Sequence, residues 1–141
     1  KDGYHLWSDR FDRSLQDGRP GPYRVQAAIA ATHAAARTWA QTDWTRIAAL
    51  YGELVRLTGS AVVELNRAIA VAETDGTEAG LAVIDGLDLD GYQYFHSTRA
   101  DLLRRLGRDE EARAEYERAL ELAHTEPERR FLQRRVAEVS A

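Results

Sequence analysis

The chain has 141 residues, a formal net charge of −4, 44% hydrophobic and 30% charged residues, and neither cysteine nor methionine. Disulfide frameworks and thiolate-held metals are therefore excluded, a reducing cytoplasm fits, and no apolar run approaches the roughly 18 residues of a membrane span. The negative balance argues against a fragment that grips nucleic acid by itself, because phosphate binding is driven by clustered Lys and Arg and by counterion release.

Sparse β-branched residues and abundant Ala and Leu predict helices, and caps and stripes give their limits. Gly18 closes a first helix from about Leu6 to Asp17. Gly21-Pro22 opens a second, expected to run to about Ala40 with Val25, Ile29, Thr32 and Ala36 on one stripe. Thr42 or Asp43 caps a third that ends at Gly59, Ser60 caps a fourth and Thr77 a fifth. The polar stretch Asp88-Leu89-Asp90-Gly91-Tyr92 reads as an irregular connection. Tyr92 to Leu106 forms a sixth helix and Asp109 opens a seventh. Thr125 and Glu128 make a capping box for an eighth, with Pro127 in its first turn and Phe131, Leu132, Val136 and Val139 on its apolar side. An intact reading frame starts with Met, so its absence leads us to expect a fragment or processed product; no secretory leader is recognisable.

Between Tyr94 and Ala123, the positions Ala100, Leu103, Gly107, Ala112, Tyr116, Ala119 and Leu120 carry the spacing of a tetratricopeptide hairpin. Each residue type has a steric reason to be there: Ala100 allows close approach, Gly107 takes a positive backbone angle at a helix end, and Tyr116 fills the seam. Aligning Gly76 with Gly107 places Leu65, Ala68, Ile69 and Ala72, then Gly80, Ile84 and Leu87 after a one-residue slip. Aligning Thr42 there places Ala31, Ala35 and Thr38, then Ile47, Tyr51, Leu54 and Leu57. The expected fold is all-α: about eight helices in antiparallel hairpins, stacked as a tetratricopeptide-like right-handed superhelix in one domain. Its divisions are 1–20 (N-terminal helix and linker), 21–59, 60–91 and 92–123 (three hairpins) and 124–141 (last helix).

Catalytic readings find little support. His5, His33, His96 and His124 lie on four segments without ligand spacing, and Asp88 and Asp90 fail as a calcium loop because Gly86 and Ser97 stand at its first and twelfth positions. Gly18 to Gly21 lacks the spacing of a phosphate loop, and no serine nucleophile elbow occurs. No enzyme, cofactor or metal is expected. Arg104, Arg105 and Arg108, and the arginines of the last helix, read first as a solvated face paired with nearby Glu. A hairpin stack offers instead a concave face lined by the first helix of each pair. Its expected positions are Ile29, Thr32, His33 and Ala36, then Val63, Asn66, Arg67 and Ala70, then Tyr94, Ser97, Thr98, Asp101 and Arg105. Asn66-Arg67 interrupts the apolar run Val62 to Ala72, so Arg67 either pairs internally with Glu64, Glu73 or Asp101 or anchors a partner.

Three blocks, Gly21-Pro22-Tyr23 with Gln26 to Ala31 and His33-Ala34, Asp43-Trp44 with Ile47 and Leu50-Tyr51, and Val62-Val63 with Leu65 to Ala68 and Ala70 to Ala72, resemble the C-terminal extension of bacterial extracytoplasmic-function sigma factors. Arg99 to Gly107 and Glu128 to Leu132 are similar to its closing hairpins. The resemblance implies a regulatory protein-interaction domain controlling transcription initiation, cytoplasmic, which contacts the sigma core in cis or RNA polymerase and does not bind DNA itself. It carries over Tyr23, Gln26, His33, Asn66 and Arg67 as polar positions. The alternatives are a free-standing tetratricopeptide adaptor that captures a peptide or protein in the same groove, and a small-molecule sensor or enzyme domain, which needs a closed pocket instead.

Overall fold

The computed structural model of the protein describes residues 20–141. Among these, seven α-helices follow one another: α1 Pro20–Ala34, α2 Trp44–Thr58, α3 Ala61–Asp75, α4 Thr77–Asp85, α5 Gln93–Arg105, α6 Asp109–Leu122 and α7 Glu126–Ser140. A short 3-10 turn, Trp39–Gln41, lies between α1 and α2, and no strand occurs among the described residues. The helix expected at Leu6 to Asp17 lies outside them.

Local chemistry explains most boundaries. The Asp43 carboxylate accepts from the Arg46 amide at 3.1 Å to start α2, and Gly59 ends it in the left-handed region (φ 63°) with its N–H on the Val55 carbonyl. The Ser60 hydroxyl accepts from the Val63 amide to start α3. At the end of α5, Gly107 (φ 76°) donates to the Arg104 carbonyl and Arg108 to the Leu103 carbonyl, the paired bonds of a Schellman motif.

Two boundaries differ from expectation. α1 stops at Ala34 rather than Ala40, because Thr38 turns extended and its hydroxyl accepts from the Gln41 amide, a local bond that competes with the helix ladder. Thr77 is the first residue of α4 and not its cap; Gly76 (φ 104°) is the cap and offers no side chain. At α7 the Thr125 hydroxyl accepts from the Glu128 amide as the capping box requires. The Glu128 carboxylate also accepts from the Thr125 hydroxyl at 2.9 Å.

Each helix packs mainly on its neighbours in sequence, with α3 also touching α5. The connections between successive helices are one to nine residues long. Two hydrophobic clusters result. The larger joins Leu65, Ala68 and Ala72 of α3 to Leu81 and Ile84 of α4, Ala100, Leu102 and Leu103 of α5, Ala112, Tyr116 and Ala119 of α6, and Phe131, Leu132 and Val139 of α7. The smaller joins Val25 and Ile29 of α1 to Trp44, Ile47, Tyr51 and Leu54 of α2 and to Ile69 and Ala70 of α3. Helix α3 is thus the wall common to both.

Most positions expected from the repeat spacing lie in the core from α2 onward; Leu57 is 50% exposed, the turn glycines Gly76 and Gly107 are exposed, and Leu87 and Leu120 are half-buried against the larger cluster. In α1 the register differs, since Ala31, Ala35 and Thr38 are exposed and Val25, Gln26 and Ile29 form the buried side. Tyr116 is fully buried; its hydroxyl donates to Asp101 and accepts from Arg104 Nε at 3.1 Å. Burial, then the Asp101 charge, pushes the phenol above its ordinary range.

Candidate functional site

Arg67 has an internal partner: its Nε donates to the Glu64 carboxylate one turn earlier on α3. Its stem runs along α2, where a Cβ placed on Gly52 would meet Arg67 Cδ at 4.0 Å. The other two expected partners are engaged elsewhere. Asp101 takes the Tyr116 hydroxyl and lies 3.8 Å from Arg104 Nη2, while Glu73 binds Trp39 and Arg105.

Gln26, Asn66 and Thr98 are too buried, at 7%, 2% and 7% exposure, to offer much surface to a partner. The Asn66 Oδ1 is buried without a hydrogen-bond partner, a costly arrangement. Tyr94 is half-buried and its hydroxyl donates to the Glu128 carboxylate of α7. His33 is half-buried and sets its ring edge on Trp44, with centroids 5.6 Å apart at 79°. Burial lowers its pKa from 6.5 to about 4, so the imidazole is neutral at neutral pH.

The residues that the structure does bring together form a line across the helices. Trp44 donates its indole N–H to the Trp39 carbonyl at 3.2 Å, and the two indoles lie 4.6 Å apart. Trp39 in turn donates to Glu73 Oε1 at 2.6 Å, and Arg105 Nη1 donates to Glu73 Oε2 at 2.7 Å. The Arg105 guanidinium sits 5.9 Å from the Trp39 ring centroid, a cation–π distance. His33 of α1, Trp44 of α2, the 3-10 turn, Glu73 of α3 and Arg105 of α5 thus make one continuous polar and aromatic seam. Of the expected partner-facing residues, His33 and Arg105 belong to it, and Gln26, Asn66, Arg67, Tyr94, Thr98 and Asp101 have other surroundings.

Sequence reasoning missed Trp39 and Glu73. The signal that could have found them is the period: Trp39 and Glu73 are 34 residues apart, Glu73 and Arg105 are 32, and Tyr94 and Glu128 are 34. Among the described residues, no group of three or more His, Asp or Glu is placed to hold a metal ion. No described helix is long and apolar enough to cross a membrane.

No protein-family model matches the chain. It is similar to an uncharacterised protein of Rhizobium meliloti (strain 1021), 46% identical over 133 residues, which make up 93% of this chain and 31% of that protein. The chain therefore spans about a third of the length of this relative.

Proposed function

We propose that the helices form a tetratricopeptide-like right-handed superhelix serving as the regulatory protein-interaction domain of an extracytoplasmic-function-type sigma factor. It acts in the cytoplasm, without catalysis and without touching DNA itself. Three side-chain bonds spanning 34, 32 and 34 residues, Trp39 to Glu73, Glu73 to Arg105 and Tyr94 to Glu128, support the repeat reading. In a one-dimensional stack, equivalent positions of successive units lie side by side, so long-range contacts gather at the period. The chain's 31% share of its relative leaves most of that protein for other regions, which suits a domain fused to DNA-reading and polymerase-binding parts.

Tyr23, a position carried by the resemblance, is 53% exposed, so packing does not explain its identity. An exposed tyrosine supplies broad contact area at small entropic cost and is a frequent interface anchor. Tyr23→Ala in the full-length parent should leave the melting temperature unchanged. It should also lower transcription in a purified RNA polymerase assay about tenfold or more, the effect of losing about 1.4 kcal/mol of contact. Unchanged transcription would remove Tyr23 from the interface. Tight, salt-dependent binding of the isolated chain to labelled duplex DNA would overturn the reading altogether. A parent protein without sigma regions would favour the adaptor.

A further inference from the structure

The irregular connection between α4 and α5 is fastened by a buried histidine. His96, on the first turn of α5 and 3% exposed, directs Nε2 at the Asp90 carbonyl of the connection at 2.6 Å and Nδ1 at Glu115 Oε2 of α6 at 2.7 Å. A backbone carbonyl only accepts, so Nε2 must carry a hydrogen. An ionised carboxylate also only accepts, so Nδ1 must carry one too. The second Glu115 oxygen lies 3.3 Å from Arg99 Nη1, an ion pair. A neutral imidazole has one N–H and can satisfy only one of these two acceptors.

The charged groups around this contact are linked across three elements. On α5, Arg99 Nε donates to Asp85 of α4 at 2.9 Å; in the connection, the exposed Asp90 carboxylate lies 3.6 Å from Nε2; on α6, Arg118 lies 3.6 Å from the other Asp90 oxygen. Phe95 sets its ring edge-on to the imidazole at 5.0 Å and closes the apolar side.

We infer that His96 is a protonation-dependent clamp, holding the connection between α4 and α5 closed as an imidazolium and loosening it when the ring loses a proton. The mobile part is local. The Asp90 carbonyl sits inside the turn closed by the Tyr92 amide on the Leu89 carbonyl at 2.9 Å, and Tyr92 packs its ring on Tyr94 at 5.5 Å. Freeing Asp90 therefore loosens the residues that set how α5 leans on α4. The clamp operates whichever partner the molecule binds.

The test follows the ring and the turn together in the wild-type chain between about pH 5 and 8, the range in which histidine chemistry operates. Two-bond proton–nitrogen spectra of the labelled imidazoles report each His96 nitrogen. Amide exchange at Tyr92, normalised for its intrinsic pH dependence, reports the turn. The expected result is hydrogen on both His96 nitrogens while Tyr92 is protected, and an increase in Tyr92 exchange of up to about tenfold as the second hydrogen leaves, the size of one net hydrogen bond. In Glu115→Gln the amide group can donate to a neutral Nδ1, so the pH dependence at Tyr92 should vanish. Hydrogen on a single His96 nitrogen while Tyr92 is protected, or flat Tyr92 exchange through the ring's titration, would overturn the clamp. So would a pH dependence that persists in Glu115→Gln.

Discussion

His33 sits in the last turn of α1, where the partial negative charge of the helix end favours a cation by about 0.3–1 kcal/mol. Burial against Trp44 wins over that bias and drops the pKa to about 4. The sign of the linkage follows. The unfolded chain binds a proton at His33 near pH 6.5, while the folded chain refuses it until about pH 4, so the stabilisation is present above pH 6.5 and lost as pH falls through that window. Urea unfolding at a series of pH values, for wild type and His33→Gln, isolates the effect from the carboxylates that also titrate there. The wild type should lose more stability than the variant between pH 6.5 and pH 4; parallel curves would place His33 in water.

At the level of elements, two glycines separate packing from backbone strain. Gly80 on α4 faces α3 so closely that a Cβ would stand 2.6 Å from Ala72 Cβ and 2.8 Å from the Ala68 carbonyl. Gly80→Ala gains about 1 kcal/mol of helix propensity. It must also push two packed helices apart, a cost of about 1–3 kcal/mol or more for overpacking. The contact with backbone and a short Cβ, neither able to swing away, decides for net destabilisation, which thermal melts will read. Gly107 has open space around its absent Cβ, so only its positive φ resists substitution. The repeat spacing singles out both positions, because a glycine at a helix end or a helix crossing has a steric reason visible in the pattern. The caps at Asp43, Ser60 and Gly59 were legible for the same reason, each being a bond between near neighbours in sequence. The end of α1 was not, since alanines from 34 to 36 favour helix and the stop depends on where Thr38 and Trp39 find their bonds.

On the scale of the whole molecule, much of the core was readable and much of the candidate site was not. Burial follows periodicity, which one helix records by itself, whereas the seam from Trp39 through Glu73 to Arg105 exists only once helices have stacked. Gln26, expected to face a partner from the resemblance, and Thr98, expected to do so from the repeat frame, are both taken into the interior. The division into two clusters with α3 between them has a spectroscopic consequence. The chain's tryptophans, Trp7, Trp39 and Trp44, all fall within its first 44 positions, and both described ones pack with the smaller cluster. Near-complete burial of Tyr116, by contrast, belongs to the larger one. In a Trp7→Phe variant, tryptophan emission therefore comes from Trp39 and Trp44 and monitors the smaller cluster, while far-ultraviolet dichroism averages over every helix. The smaller cluster has less apolar area to lose, so on heating the emission should shift at a lower temperature than the dichroism fades. Coincident curves would instead mean that α3 transmits every opening from one end of the stack to the other, and that the molecule melts as one optical and thermodynamic unit.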